Sequence, residues 1–222
     1  MATLLIGCHA GVSGNGNVIT QAIEVGAFKN IAIGSGIHGH VRPGPRAITL
    51  ETDENLMQYV RVAVEGDTLK ATLEPGVLLV NQHALKLHVS NDAIESVEAS
   101  GGAEVDAETT QPAALTLGAS GGSRLLVSNV LVSDLRLSVT GGSRVKLVGT
   151  ATTGDLTVSG GSNADLELLD LLVGGFSVSG GSKVTSKVRG SVSGAASGGA
   201  RVKLLGSPKG EIKVSGGSAV DR

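Results

Sequence analysis

The chain has 222 residues, which is enough for one or two compact units with a hydrophobic core. Its charge is nearly balanced, with 18 Lys and Arg against 20 Asp and Glu, so we expect no global attraction to nucleic acid or to an anionic membrane. Two Phe, one Tyr and no Trp argue against surfaces that stack on sugars or on single-stranded nucleic acid, and we expect no nucleic-acid partner.

Residues 1–17 are interpreted as a leader remnant followed by a flexible tether. Cys8 is the only cysteine, and Leu5-Ile6-Gly7-Cys8 is similar to the lipobox of bacterial lipoproteins, in which the cysteine is acylated. However, no Lys or Arg precedes this motif, and the apolar run is shorter than a signal region. Either the chain starts inside a longer precursor and Cys8 carries a lipid, or the match is accidental and the thiol is inert. Such a lipid would be the one membrane attachment that we expect.

Residues 18–84 predict an irregular β region that caps the structure. Gly66-Asp67 separates two β-type runs and is typical of a hairpin turn. Thr52–Gln58 has helical character, with Asp53 as the candidate N-cap. The β-type runs are Val18–Val25, Asn30–Ile33, Ala47–Glu51, Tyr59–Val64 and Thr68–Leu73.

Within residues 85–222 the pair Gly-Gly recurs at intervals of 18 to 20 residues. This period is typical of a solenoid in which each repeat is one coil. Two glycines permit the positive φ angles of a tight corner and a close approach between stacked corners. Flanking serines can bond to the turn backbone or to the serine of the next coil. The first glycines of the seven pairs are Gly101, Gly121, Gly141, Gly160, Gly180, Gly198 and Gly216.

Alternating apolar and polar residues predict two strands and two turns in each repeat. Val145 and Leu147 would point inward, while Arg144 and Lys146 point outward. The sequence therefore predicts an all-β fold over 85–222, a two-sheet parallel β-solenoid with coils about 4.8 Å apart and one looser turn. The inward columns are Val105, Leu125, Ala164, Val184 and Val202 on one strand, and Leu117, Leu137, Leu156, Phe176 and Ile212 on the other.

Several short motifs follow one another along most of the chain. They are Ser13–Val18, Val25–Ile31, Asp53–Val60, Val64–Leu69 and the Ser-Gly-Gly-Ser ladder from Glu98 onward. In this order the chain resembles the head GIN domain family of bacterial autotransporter-type adhesins. The resemblance implies a right-handed β-helix in the bacterial envelope, frequently a lipoprotein or signal-bearing, with adhesion proposed and no catalytic set recognised.

Two motifs are candidate metal sites. His38 and His40 would share one face of a strand, but two ligands leave a zinc or copper site incomplete, so exposed strand histidines are the favoured interpretation. Gly160–Asp165 is similar to calcium-binding nonapeptides, which need Gly-x-Asp on successive turns. Other coils offer Arg144, Lys183 and Arg201 instead. We expect no metal and no cofactor.

Polysaccharide lyases and hydrolases share β-helix folds, so an enzyme acting on polysaccharides is an alternative. Such chemistry needs clustered carboxylates or a basic residue near a bound metal. No Gly-x-Ser-x-Gly nucleophile elbow leads from a predicted strand into a helix, and we favour a protein without catalysis. The outward acidic residues are mixed with Lys and Arg and do not converge: Glu104, Asp106, Asp165 and Glu167.

Outward cations recur in successive repeats and predict a basic stripe along one sheet. Stacked like charges are unfavourable by up to about 1 kcal/mol per pair. One interpretation is the docking of anionic envelope glycans. The other, which the sequence alone favours, is a solvated face that discourages sheet-to-sheet aggregation. The stripe comprises Arg124, Arg144, Lys146, Lys183, Arg201 and Lys203, whereas the return sheet carries Ser138, Thr157 and Ser177.

These patterns together predict a non-catalytic protein of the bacterial cell envelope, located in the periplasm, at the outer membrane or on the cell surface. It would present a rigid surface for adhesion or binding, with envelope or host glycans or proteins as partners. The alternative function is self-assembly into trimers or filaments through the solenoid ends, because the last coil near Val220–Arg222 shows no obvious cap.

Overall fold

The computed structural model describes residues 11–222, which are almost entirely β-structure. A single 3-10 helix, Glu54–Tyr59, interrupts the strands of this part of the chain. The strands are β1 Val12–Ser13, β2 Val18–Ala22, β3 Asn30–Ile33, β4 His38–Pro43, β5 Ala47–Asp53, β6 Val60–Glu65, β7 Thr68–Leu73, β8 Leu79–Val80, β9 Leu85–Asn91, β10 Ser96–Ala99, β11 Glu104–Glu108, β12 Ala114–Ala119, β13 Arg124–Val139, β14 Arg144–Val158, β15 Asn163–Val178, β16 Lys183–Ala196, β17 Arg201–Leu205, β18 Lys209–Val214 and β19 Ala219–Asp221.

From β10 onward the strands form a parallel β-solenoid, as the repeats predict. β13, β14, β15 and β16 each make most of one coil and pair with the next coil in parallel register. Two long faces lie on either side of the Gly-Gly corner: the first face follows it, as in Arg124–Val127, and the return face precedes the next corner, as in Asp134–Val139. The sequence predicts a looser turn between the two sheets, but in the structure this segment is also a strand. Its residues Val130–Val132 pair with β14, and the chain bends before and after them. The coils of β13, β14, β15 and β16 therefore add a short third face to the two predicted sheets.

The core consists of stacked columns of inward side chains. On the first face, Leu125 pairs with Val145, and the same column continues through Ala164 and Val184 on the next two coils. All four side chains are buried. On the return face the column runs to Phe176, but the next coil places Gly194 there. Gly194 has φ of 139°, and a Cβ on it would collide with the carbonyl oxygen of Phe176. This glycine makes room for a close backbone approach that alternation of residue types does not reveal.

The Gly-Gly corners form one ridge along the solenoid. The first glycine of each pair has φ between 54° and 69°, and the second between 73° and 81°. A Cβ on Gly141 would lie 3.0 Å from the amide nitrogen of Gly121, whereas one on Gly142 would meet nothing within 4 Å. The amide of Gly122 also donates to the carbonyl of Gly141 at 3.0 Å. The first glycine thus permits close stacking, and the second only the turn.

Serines after the corners point into the core. The Ser123 hydroxyl donates to the carbonyl of Ala99 at 2.9 Å and lies 3.5 Å from the hydroxyl of Ser143 in the next coil. The equivalent Ser162 and Ser182 are also buried. The column of hydroxyls therefore follows the ridge inside the solenoid.

The stacking order near the cap differs from the order along the chain. β3 and β4 form a coil with its corner at Ser35-Gly36. β3 lies between β7 and β10, and β4 lies between β9 and β11. The coil made by β3 and β4 is therefore inserted between two coils that follow each other in sequence.

Antiparallel strands close the cap end of the stack. β5 pairs with β9 and β2 pairs with β5, both antiparallel. On the return face β6 pairs antiparallel with β7, through the hairpin predicted at Gly66-Asp67. The change from parallel to antiparallel pairing ends the run of coils at this side of the molecule.

Asp53 ties the N-terminal segment to the cap. Its buried carboxylate accepts the amide hydrogen of Gly16 at 2.7 Å and that of His83 at 2.9 Å, and lies 3.0 Å from His83 Nδ1. The hydrogen bond from the His83 amide is the main cause that lowers the pKa of Asp53. The predicted N-cap role was wrong: Asp53 precedes the 3-10 helix, but its side chain makes no capping bond because it faces Gly16 and His83.

Candidate binding surface

The six cations of the predicted stripe are all exposed on the first face. Arg124 pairs with Arg144, Arg144 with Asn163, Asn163 with Lys183, and Lys183 with Arg201, so these residues form one outward column. A second column runs in parallel along the same strands. Its members are Lys146, Asp165, Thr185 and Lys203.

Ion pairs divide the stripe into two parts. Arg124 pairs with Glu104 of the preceding coil, and Lys146 pairs with Asp165 at 3.5 Å. Within the described residues, the other four stripe cations have no carboxylate oxygen within 4.0 Å. We call these four the free cations: Arg144, Lys183, Arg201 and Lys203.

The same face continues to the cap, where cations and carboxylates alternate. Lys86 and His38 extend the first column from Glu104, while Arg42 reaches Asp106 at 3.0 Å. Lys86 in turn pairs with Glu51 at 2.9 Å. The sequence does not reveal Lys86 and Arg42 as parts of this face, because β9 comes late in the chain and yet lies beside β4.

His38 and His40 project from one face of β4, as predicted. The ring of His40 stacks on that of His88, with 5.0 Å between the centroids and 15° between the planes. Burial lowers the pKa of His40, and the positive charge of a protonated His88 lowers it further. In the part of the chain that the structure describes, no group of three or more His, Cys, Asp or Glu is placed to hold a metal ion.

A shallow groove follows the stripe. Its cavity of about 310 Å³ is lined by Arg124, Arg144, Lys146 and Asn163, with Leu126 at its floor. The side chain of Leu126 is 37% exposed. A smaller groove of about 170 Å³ shares Arg124 and Leu126 and leads towards His38 and His40. Asp165 also lines the larger groove, which therefore combines an exposed apolar side chain with three cations and one carboxylate.

Three acidic residues of the first face have a cationic neighbour. Glu104 lies against Arg124, Asp106 against Arg42, and Asp165 against Lys146. Asp165 is the acidic residue of the stretch that is similar to calcium-binding nonapeptides. Its carboxylate forms an ion pair with the ammonium group of Lys146. These carboxylates belong to charge pairs between coils and not to a convergent acid–base pair.

The return face has a different character. Ser138, Thr157 and Ser177 stack in one exposed column, as predicted, and Ala195 continues it. These small side chains leave the return face flat and without a run of like charges. The next member of this column is Lys213, and Arg136 is also exposed on this face, so the return face carries single cations but no stacked run of them.

Comparison with known proteins agrees with this architecture. A family described as "Putative auto-transporter adhesin, head GIN domain" matches residues 27–208. The chain belongs to this family. Among proteins with curated functional descriptions, none matches the sequence.

Solved structures share the fold of this head GIN domain protein. A "putative adhesin" from Bacteroides fragilis NCTC 9343 is 19% identical, with a TM-score of 0.87 over 95% of this chain and 98% of that chain. A "putative lipid binding protein" from Parabacteroides distasonis ATCC 8503 is 14% identical, with a TM-score of 0.80 over 96% and 99%. A "putative adhesin" from Parabacteroides merdae ATCC 43184 is 18% identical, with a TM-score of 0.75 over 95% and 98%.

Two observations concern membrane attachment. No helix among residues 11–222 is both long enough and apolar enough to cross a bilayer. Cys8, the predicted lipidation site, lies outside the described residues.

Proposed function

We propose that the protein is a non-catalytic binding protein of the cell envelope, which adheres to glycans or proteins through the first face of its solenoid. The observation that carries this proposal is the continuous outward surface from Lys86 to Lys203, built from side chains in register on successive coils. Such a surface suits an extended ligand, because every coil offers similar contacts at the same spacing. Membership of an adhesin-type family supports the same function.

A binding role also agrees with the chemistry of this face. A glycosidase places two carboxyl groups on either side of the scissile bond. Here Glu104, Asp106 and Asp165 are held by cations of the adjacent coils. The side chains therefore favour recognition over hydrolysis or elimination.

The cap geometry suggests how the protein would be displayed if Cys8 is acylated. The amide of Val12 donates to the carbonyl of Leu78 at 2.8 Å, so the N-terminal segment leaves the molecule at the cap. Cys8 precedes Val12 by four residues, and a lipid on it would tether the cap end close to the membrane. The free cations lie on coils farther from this tether than the cap.

The proposal is tested with the fluorescently labelled chain on arrays of envelope and host glycans and proteins, and on whole cells. We expect saturable binding, with no new reducing ends or unsaturated products from polysaccharides that bind. Absence of binding to every array and cell type, or turnover of a bound glycan, would contradict the proposed function.

Self-assembly is a second candidate function, which the far end of the stack favours. Among the described strands, β18 pairs with β16 and β19 pairs with β17, each along one edge. Val214 at this end is 49% exposed, although the same column is buried at Val178 and Ala196. A strand edge beside exposed core residues is suited to pairing with a second copy of the chain.

A further inference from the structure

The free cations distinguish the far half of the first face from the half near the cap. Near the cap, the cations Lys86, Arg42 and Arg124 have carboxylate partners on adjacent strands. On the far coils, Lys183 and Arg201 are direct neighbours in register without such partners. Like charges at this spacing repel one another. Asp221 lies beside Lys203 on the next strand, but among the described residues no carboxylate stands beside Lys183 or Arg201 in their column. The missing anion is what a ligand would provide.

We propose that the far half of the first face binds a linear carboxylated glycan whose chain runs along the solenoid axis. This inference rests on the proposed function, because it names the ligand class of the same surface. The coils fix the spacing of the contacts: Arg144, Lys183 and Arg201 share one column, and adjacent strands lie about 4.8 Å apart. A sugar unit in an extended pyranose chain advances by a similar length. Lys183 and Arg201 are one strand spacing apart, whereas Arg144 lies two spacings from Lys183, with Asn163 between them. A polymer with one carboxylate on each unit therefore presents an anion at the position of each of the three cations.

The groove determines which part of the sugar it contacts. Leu126 forms an exposed apolar floor beside Arg144, and Asn163 adds an amide that both donates and accepts hydrogen bonds. The C–H face of a pyranose ring can lie on Leu126 while its carboxylate meets the guanidinium of Arg144. Arginine binds carboxylates through two parallel hydrogen bonds, which gives this contact a preferred geometry.

The composition of the face favours acidic over neutral glycans. Neutral sugars are commonly held by stacking on aromatic rings, but Phe28 and Phe176 are buried in the core. Charge must therefore supply most of the affinity. The same lack of exposed aromatic rings disfavours single-stranded nucleic acid, whose bases need such platforms.

The test uses fluorescence anisotropy with a labelled oligogalacturonate and the whole chain. The stripe variant combines Arg144→Glu, Lys183→Glu and Arg201→Glu. The control variant combines Arg136→Glu, Lys209→Glu and Lys213→Glu, which makes the same change in net charge at exposed positions of the return face. Circular dichroism checks that both variants are folded.

We expect the stripe variant to bind about thirtyfold more weakly or worse, because three exposed ion pairs are lost and replaced by repulsion. The control variant should bind within about threefold of the natural chain, since charges on the other face are largely screened at physiological salt. Affinity of the natural chain should also fall as salt is raised, and a neutral oligosaccharide of equal length should not compete.

Several results would overturn the inference. The first is an equal loss of affinity for oligogalacturonate in the stripe and control variants. The second is undiminished affinity of the stripe variant, and the third is no binding of oligogalacturonate by the natural chain. Stronger competition by a DNA oligonucleotide than by unlabelled oligogalacturonate would assign the face to nucleic acid instead. If the stripe variant still binds its array ligands, this inference fails and the proposed function stands; if the natural chain binds no array ligand and no cell, the proposed function fails as well.

Discussion

At the scale of single residues, the two glycines of each corner have separate physical roles. Both adopt positive φ, which costs a residue with a Cβ about 1–2 kcal/mol. The first glycine of each pair also lies against the backbone of the neighbouring corner, whereas the second faces open space. The sequence reveals the period of the pairs but not this difference, because contact between coils depends on how the corners stack.

Substitution at one corner separates these roles. We expect Gly142→Ala to lower the free energy of unfolding by about 1–2 kcal/mol, since it introduces only backbone strain. Gly141→Ala should lower it by roughly twice as much, because its Cβ would lie 3.0 Å from the amide nitrogen of Gly121. Urea unfolding of the two variants beside the natural chain measures the difference. An equal loss of unfolding free energy in the two variants would show that close stacking of the corners contributes nothing to stability.

At the scale of elements, the regular coils could be predicted and the cap could not. From Glu98 onward each strand pairs with the next repeat, so period and alternation locate inward residues such as Leu125 and Val145. In the cap, β3 pairs with β7 and β10, which are distant in sequence and carry no matching motif. The insertion of a coil depends on these long-range pairings. The hydrogen bond that the Gly16 amide donates to Asp53 is also a long-range contact, since it joins the N-terminal segment to β5.

The stabilisation provided by Asp53 should depend on pH. The pKa of Asp53 is lower in the folded protein than the value of about 3.9 in an unfolded chain, so its stabilisation is complete above that value and is lost as pH falls through the folded pKa. Asp53→Asn should lower the urea midpoint at pH 7. As the pH falls below about 4 towards the lowered folded pKa, the difference from the natural chain should narrow progressively, because the natural carboxyl becomes protonated there.

A matched substitution at the exposed Asp92 serves as the control for this experiment. Asp92→Asn removes a carboxylate without removing buried hydrogen bonds, and its urea midpoint should follow that of the natural chain at both pH values. A difference between Asp53→Asn and the natural chain that stayed constant from pH 7 to pH 3 would mean that the charge of Asp53 is not what stabilises the cap.

At the scale of the whole molecule, the two ends of the described stack are built differently. The cap ends in antiparallel strands, with β2 and β6 at the edges. The far end keeps the parallel arrangement up to β18 and β19, where Ile212 is buried but Val214 and Val220 are partly exposed. Association between copies should therefore occur through the far end, where an added strand continues the existing pattern of pairing and covers apolar side chains.

A lysine at either end tests this polarity. Val214 on β18 is 49% exposed and Val18 on β2 is 40% exposed, so Val214→Lys and Val18→Lys are comparable changes on edge strands at opposite ends. If the chain self-associates, light scattering at rising concentration should show association in Val18→Lys and its loss in Val214→Lys, since a charge on an edge strand opposes pairing. Loss of association in Val18→Lys alone would place the contact at the cap. A natural chain that stays monomeric throughout would remove self-assembly and leave binding through the first face as the function of the solenoid.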